Sequence, residues 1–429
     1  MTHDIRVNHV TRIEGHGNIV LNTRNGKIEE LKLEIVESPR FFEMMLKDRK
    51  YDEAPHITSR ICGICAVGHT TASLKAVEAA FDIVPSDQTI LLRKIVLNAE
   101  IIQSHVLHYY FLVAPDFFGV GSVIPLAASH PDLVKRALRM KKTANDICEI
   151  LVGRHVHPIA MVVNGFTKLP SMKELDKVRH LLEETIPDVE ETTRLFQSLI
   201  MPDFKRKTEY FSLSGDDEYA LYDGRLISTE GKSLETNRYK DVIIEHVVGH
   251  STAKHVKSDQ KTSIMVGALA RLNNNLEQLC PEAKAAADEF ELKVPCYNPF
   301  MNNVAQIVET VHCIYESLRL LNSIASKGVR EEKPEFKIRA GKGVGAVEAP
   351  RGTLYHEYEI DDNGIIKEAN CIIPTAQNLA NIEKDMEAFV PDILDLPKEE
   401  IRLKLEMLVR AYDPCISCST HFLEVTFIE

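Results

Sequence analysis

Arg60-Ile-Cys-Gly-Ile-Cys65 near the start of the chain and Asp413-Pro-Cys-Ile-Ser-Cys418 near its end each carry a Cys-x-x-Cys pair, followed by His69 and His421. Both sulfurs of such a clip can turn toward one point, which is what a short loop offers a metal ion. Four thiols from two distant clips predict a chain that folds back on itself, so that its N- and C-terminal segments meet at one buried metal site. Plainer uses exist. A structural zinc site also takes two such pairs, but its second pair ordinarily follows within roughly 15–20 residues, whereas here almost the whole chain intervenes. A redox dithiol would use one pair, and neither pair sits in an evident thioredoxin-like unit. Both uses stay open on the cysteines alone.

The residues around the cysteines narrow the choice. Val10-Thr-Arg-Ile-Glu-Gly-His16, Arg60 to His69, Gly153-Arg-His-Val-His-Pro158, Ala349-Pro-Arg-Gly352 and Asp413 to His421 occur in this order from about residue 5 to residue 421. Together they resemble the large subunit of nickel-iron hydrogenases. Glu37-Ser-Pro-Arg-Phe-Phe-Glu43 and Met265-Val-Gly-Ala-Leu-Ala-Arg-Leu-Asn-Asn274 look most like its cytoplasmic, multisubunit branch, which couples hydrogen to nicotinamide, deazaflavin, or heterodisulfide and ferredoxin partners.

The composition is that of an ordinary soluble globular protein, and length alone would allow two or three domains. The net charge is −12, from 63 acidic and 51 basic residues, with no basic block, which argues against nucleic acid or anionic membrane as partner. The first residues lack a charged and then apolar signal segment, and no stretch runs about 18 apolar residues without interruption, so a cytoplasmic protein without a membrane span is expected. Nine cysteines in that setting are expected to be thiols or metal ligands. Cys148, Cys280, Cys296, Cys313 and Cys371 stand singly, without the spacing an iron–sulfur cluster prefers.

Periodicity predicts an α+β fold, predominantly helical, with a central bundle of long helices flanked by small β-sheets. Asn18–Leu21 and 27–35 flank Arg24-Asn25-Gly26, a hairpin signal, and 352–360 meets 365–373 across Asp361-Asp-Asn-Gly364 in a second. Apolar residues at helical spacing mark about 88–113, 131–152, 171–200 and 302–328, followed by helices at about 376–390 and 397–411, the last ended by Pro414. No linker or repeat divides the sequence, so residues 1–429 are read as a single interwoven domain. Residues 203–262, rich in Asp, Lys, Tyr and Ser, read as a surface excursion. Gly341-Lys-Gly343-Val-Gly345 lacks the full spacing of a phosphate loop and reads as a glycine-rich turn leading into Ala349-Pro-Arg-Gly352.

The resemblance implies reversible heterolytic cleavage of H2. Cys62 and Cys415 would be terminal nickel ligands, and Cys65 and Cys418 would bridge nickel to an iron carrying carbonyl and cyanide ligands. The sulfur of Cys415 would accept the first proton, and Glu14 would pass it on, since a carboxylate relays a proton by turning between donor and acceptor. Arg351 would aim its guanidinium at the metals and one cyanide, and Thr375 would hydrogen-bond the other. Asp116 and Asp413 would hold this arginine and the surrounding shell in place, although either could be only a turn or cap residue. Glu43, His421 and the backbone carbonyl of Cys371 would ligate a magnesium or similar hard divalent ion. His69 would orient the first cysteine loop. Electrons would leave through an iron–sulfur small subunit, with further flavin or iron–sulfur subunits beyond it.

Two departures stand out. The family commonly loses a C-terminal extension just after the histidine matching His421, and here Phe422–Glu429 continue past it, as an unprocessed precursor or as a retained tail. Asn164-Gly165 stands where many relatives have a glycine pair. Two alternatives of other classes are a structural or quinone-site subunit of a respiratory complex, a related family that lacks the metal-binding cysteines, and a zinc-stapled assembly protein.

Overall fold

A computed structural model describes residues 2–420. The chain opens with β1 (His3–Val7), β2 (Gly17–Arg24) and β3 (Lys27–Ile35), an antiparallel sheet in that order. The β2–β3 turn is Asn25-Gly26, with both residues at positive φ (53° and 76°) and Arg24 opposite Lys27. This is the turn whose twist suits a two-residue hairpin. Seven long helices follow: α1 (Ala66–Phe81), α2 (Asp87–Val106), α3 (Pro131–Val152), α4 (Met172–Gln197), α5 (Asn302–Lys327), α6 (Pro374–Ile393) and α7 (Lys398–Ala411). Sequence periodicity places all of them except α1 to within a few residues. α4 starts at a capping box in which Ser171 and Glu174 serve each other's backbone N–H groups. At the end of α2 the chain widens into a π-helical stretch, Leu107–Val113, so the predicted helix over 88–113 is two kinds of helix in succession. The apolar stripe Leu92, Ile95, Val96, Ile101, Ile102 and Val106 is buried. The chain is thus α+β, mainly helical, with small sheets at its flanks.

The C-terminal sheet corrects one expectation. Gly341–Ala349 is not a turn but a strand, β4, antiparallel to β5 (Gly352–Ile360), which pairs in turn with β6 (Ile366–Ile372). Its glycines lie on α1. A Cβ at Gly341, Gly343 or Gly345 would stand 2.0–2.1 Å from the carbonyl oxygens of Ala80, Ala76 and Ala72 respectively. Two strand residues rise about 6.6 Å and four helix residues about 6 Å, so a glycine at every second position meets an alanine at every fourth. The Gly-x-Gly-x-Gly pattern is therefore a close approach of backbone to backbone. Gly343→Ala is expected to cost about 3 kcal/mol, the upper end for overpacking a site that cannot yield, seen as a lower thermal midpoint. An unchanged midpoint would show that α1 can move away freely.

Residues 203–262 are also corrected. Glu209–Ser214 pairs with Arg225–Ser228 and, in parallel, with Ile264–Met265, and Phe211, Leu213, Leu226 and Tyr239 are buried against Ala346, Tyr355 and Ile372 of the C-terminal sheet. The segment's polar composition hides a strand, Glu209–Ser214, buried over five consecutive residues, and a partner, Arg225–Ser228, that buries alternate ones. Asn164, where a glycine was expected, has φ 62° in a tight turn, a conformation asparagine tolerates. No helix among the described residues is long and apolar enough to cross a membrane.

Candidate metal centre

The two cysteine loops meet as predicted. Cys62 follows a single helical turn, Ser59–Ile61, and Cys65 caps the start of α1, while Cys415 leads a short helix, Ile416–Ser419. All four sulfurs are buried. Cys62, Cys415 and Cys418 bring their Sγ atoms within 4.8 Å of one another, with Cys62 and Cys415 3.6 Å apart. Cys65 flanks this trio: its N–H donates to Cys62 Sγ at 3.2 Å, and its own sulfur accepts from Arg351 Nη1 at 3.2 Å. A hydrogen bond from Cys65 and the charge of Arg351 pull the Cys62 thiol down to about 7 against burial, while the same bond and burial push Cys65 well above the usual thiol range. Cys415 and Cys418, expected as metal ligands, bring their sulfurs into contact with their Cα atoms 5.5 Å apart, and both belong to the group of sulfurs that could hold a metal ion.

Glu14 lies in the loop between β1 and β2, pressed onto the second cysteine loop. Glu14 and Cys415 form a parallel bridge, and Ile416 N–H donates to the Glu14 carbonyl at 2.9 Å. Gly15 (φ 82°) is where the chains touch, because a Cβ there would stand 2.8 Å from Ile416 Cβ and Ser417 N. Glu14 Oε2 lies 3.1 Å from Cys415 Sγ and accepts from Ser417 N–H at 3.1 Å.

Arg351 occupies the two-residue turn between β4 and β5, where Ala349 pairs with Gly352. The turn is pressed inward, with Gly352 at φ 134° and room for no Cβ against Val266. Asp413 holds the guanidinium twice, its carbonyl accepting from Nε at 2.7 Å and Oδ1 from Nη2 at 2.9 Å. Burial alone would lower the arginine's pKa, but Asp413, Cys65, Cys62 and Glu14 raise it, so the charge persists inside the protein. Thr375, at the first turn of α6, accepts from Cys415 N–H at 2.9 Å.

Asp116 is placed differently from expectation. Its two oxygens accept from Arg410 Nε and Nη2 at 2.8 and 2.9 Å, and Arg12 also pairs with it, so it ties the Glu14 loop to α7 and does not hold Arg351. Glu43 Oε1 accepts from Cys371 N–H at 2.8 Å, so Glu43 meets the backbone of Cys371 at its N–H and not at the carbonyl expected to ligate. His421 lies outside the described residues. His69 Nδ1 is 3.1 Å from His356 Nε2, and its N–H donates to Cys65 O at 3.1 Å.

Two contributors escape a reading of the sequence. Arg40 Nη2 donates to Ile61 O at 2.6 Å and also to Ser417 O, clamping both cysteine loops with one side chain. Its signal is adjacency to Glu43. Glu100 on α2 accepts from Val67 and Gly68 N–H at 2.5 and 2.8 Å, which caps α1 just beyond Cys65. Burial pushes its carboxyl well above the usual range. A lone carboxylate in the apolar stripe of α2 is the signal.

Buried sulfurs gathered at one point, with a permanent cation beside them, suit soft metals. Comparison with known proteins identifies the class. The sequence matches the family described as nickel-dependent hydrogenase over residues 40–135 and 259–421, and one described as HoxL-like over residues 4–38. The chain belongs to the nickel-dependent hydrogenases as their large, catalytic component, an oxidoreductase acting on H2 at a nickel-iron centre. Among its relatives, the alpha chain of sulfhydrogenase 1 from Pyrococcus furiosus is 34% identical, with 98% of each chain covered. The alpha chain of sulfhydrogenase 2 from the same organism is also 34% identical, over 98% of this chain and 100% of its own. A crystal structure of an NAD+-reducing NiFe-hydrogenase in the H2-reduced state superimposes with a TM-score of 0.88 at 28% identity, over 98% of this chain and 99% of that one.

Proposed function

We propose that Cys62, Cys65, Cys415 and Cys418 hold nickel together with an iron that carries carbonyl and cyanide ligands. When bound, this centre supplies the heterolytic splitting of H2. The observation that carries the reading is the Glu14 carboxylate 3.1 Å from Cys415 Sγ: a sulfur that takes up a proton has an acceptor for it at hydrogen-bonding distance. Cys415 Sγ holds the proton first, and Glu14 Oε2 receives it and turns it toward the exterior. Arg351, fixed by Asp413, keeps a positive charge beside the Cys65 sulfur and would hydrogen-bond one diatomic ligand of the iron, while Thr375, at Cys415 N–H, would hydrogen-bond another. Asp116 keeps the Glu14 loop in register through Arg410 and Arg12.

Glu43, the carbonyl of Cys371 and His421 are the proposed ligands of a magnesium-like ion. In this reading the whole chain is one interwoven domain in the cytoplasm. Its electrons leave through an iron–sulfur small subunit, and further flavin or iron–sulfur subunits pass them to a nicotinamide, deazaflavin or ferredoxin-type acceptor. The relatives' names, which mark each as one component of a larger enzyme, and the NAD+-reducing activity of the structural neighbour support such an assembly.

The infrared spectrum of the anaerobically purified complex tests the centre. Bands of iron-bound carbonyl and cyanide are expected, with about one nickel per chain, the stoichiometry of one four-sulfur site. Zinc without such bands in matured protein would reduce the cysteine clips to a structural site.

A further inference from the structure

A second cluster of ligating side chains lies away from the cysteines. Ile244–His246 and His255–Lys257 form a short antiparallel ribbon in which His255 pairs with His246. The connecting loop is tied to β3, since Thr252 N–H donates to Ile35 O at 3.0 Å. Where this ribbon packs on α6, His250, His255 and the helix residue Glu383 each bring one ligand atom within 4.8 Å of the others. His250 Nε2 is 2.7 Å from Glu383 Oε1, and His255 Nδ1 is 3.9 Å from Glu383 Oε2. Leu33 N–H of β3 donates to Glu383 Oε1 at 3.0 Å, fixing the carboxylate as an outer partner fixes a metal ligand.

The telling residue is His255. Its side chain is 3% exposed, its Nε2 has no hydrogen-bond partner among the described residues, and its Nδ1 is beyond hydrogen-bond reach of Glu383. A buried imidazole ordinarily has a partner for its donor nitrogen. Here a ring shut away from water faces a carboxylate and another imidazole at a separation too long for a hydrogen bond and suited to a shared ion. The cluster opens on a cleft of about 660 Å³ lined by His246, His255 and Glu383 among others, which leaves room for water at a remaining position. Of the cations lining that cleft, Arg206 and Lys207 are already paired, with Asp385 and Glu230.

We propose that His250, His255 and Glu383 form a second metal site, which takes a divalent d-block ion of the zinc class. Two imidazoles and one carboxylate with an open position are a donor set zinc accepts. The set has no sulfur, unlike the cysteine centre, and it is too rich in nitrogen for magnesium. The ion would staple the 244–257 ribbon to α6, the helix whose first turn carries Thr375.

The test uses the intact complex, freed of loosely held ions by a chelator and titrated with cobalt(II) alone as a spectroscopic stand-in for zinc. Uptake of one cobalt per chain beyond the metals of the cysteine centre and of the Glu43 site is expected, lost in the variants below, with weak bands of nitrogen and oxygen ligation, no sulfur-to-cobalt charge transfer, and displacement by zinc. His250→Gln and Glu383→Gln, both at partly exposed side chains, are expected to weaken cobalt binding by at least about tenfold, as loss of a supporting ligand does, while nickel content stays at the wild-type level. No cobalt uptake by the wild type, uptake unchanged in both variants, or charge-transfer bands from thiolate would each overturn the site. Because nickel content and the infrared bands report only the cysteine centre, failure here leaves that reading untouched.

Discussion

Cys415→Ala is expected to abolish H2-dependent dye reduction and to lower nickel well below one per chain. Cys415 is the sulfur at which three features converge: it stands 3.6 Å from Cys62 Sγ, 3.1 Å from Glu14 Oε2, and its N–H is held by Thr375. Alanine removes one of four sulfur donors and leaves a pocket that offers nickel three, below what a closed thiolate site requires. The loop itself should survive. Its fixings are largely backbone bonds, Cys415 N–H to Thr375 and Ile416 N–H to the Glu14 carbonyl, and the substitution takes away only a small buried side chain. Cys148→Ala is the matching control, because Cys148 is equally buried but lies on α3, outside both cysteine loops. It should leave nickel and activity in place. Activity retained in Cys415→Ala would remove the cysteine centre as the seat of the reaction.

Glu14→Gln separates proton movement from metal binding. Glutamine preserves the shape of the side chain and can still accept from Ser417 N–H through its carbonyl oxygen, so the loop contact at Gly15 is kept. What it loses is the ability to take a proton. The rate of H2/D2 exchange is expected to fall by about 10²–10⁴-fold, the usual worth of a positioned acid–base group, with the infrared bands and nickel content unchanged. A wild-type exchange rate in a fully loaded variant would take Glu14 off the proton path.

Short-range chemistry is legible in the sequence and long-range pairing is not. A Cys-x-x-Cys clip announces itself because its sulfurs must lie a few residues apart, and the hairpins at Asn25-Gly26 and Asp361–Gly364 because a reversed turn needs residues that accept positive φ. Arg351 and Thr375 are found through the strings around them. Asp116 shows where this ends: an acid in a recognised string can be expected to hold an arginine, but the partner, Arg410, arrives from a helix nearly three hundred residues later, and only packing decides which arginine it meets. The glycines of β4 spell close approach without saying to what. The answer, the carbonyls of α1, depends on a strand and a helix far apart in sequence sharing almost the same axial repeat. Arg40 is overlooked because one side chain that clamps two loops leaves no periodic trace.

The closure of the site by loops from opposite ends has a consequence for biosynthesis. Cys62 and Cys415 are 353 residues apart, so at common elongation rates roughly 20–70 s separate the emergence of the first clip from that of the second. During that interval Cys62 and Cys65 have no partner loop, Glu14 lacks Cys415, and Arg40 holds only the first loop, at Ile61. A metal offered to the nascent chain would find half a binding site, one that any passing thiophilic ion could occupy. The full set of four sulfurs exists only once translation has passed Cys418, and α7 with the loop behind it carries the second pair to the first.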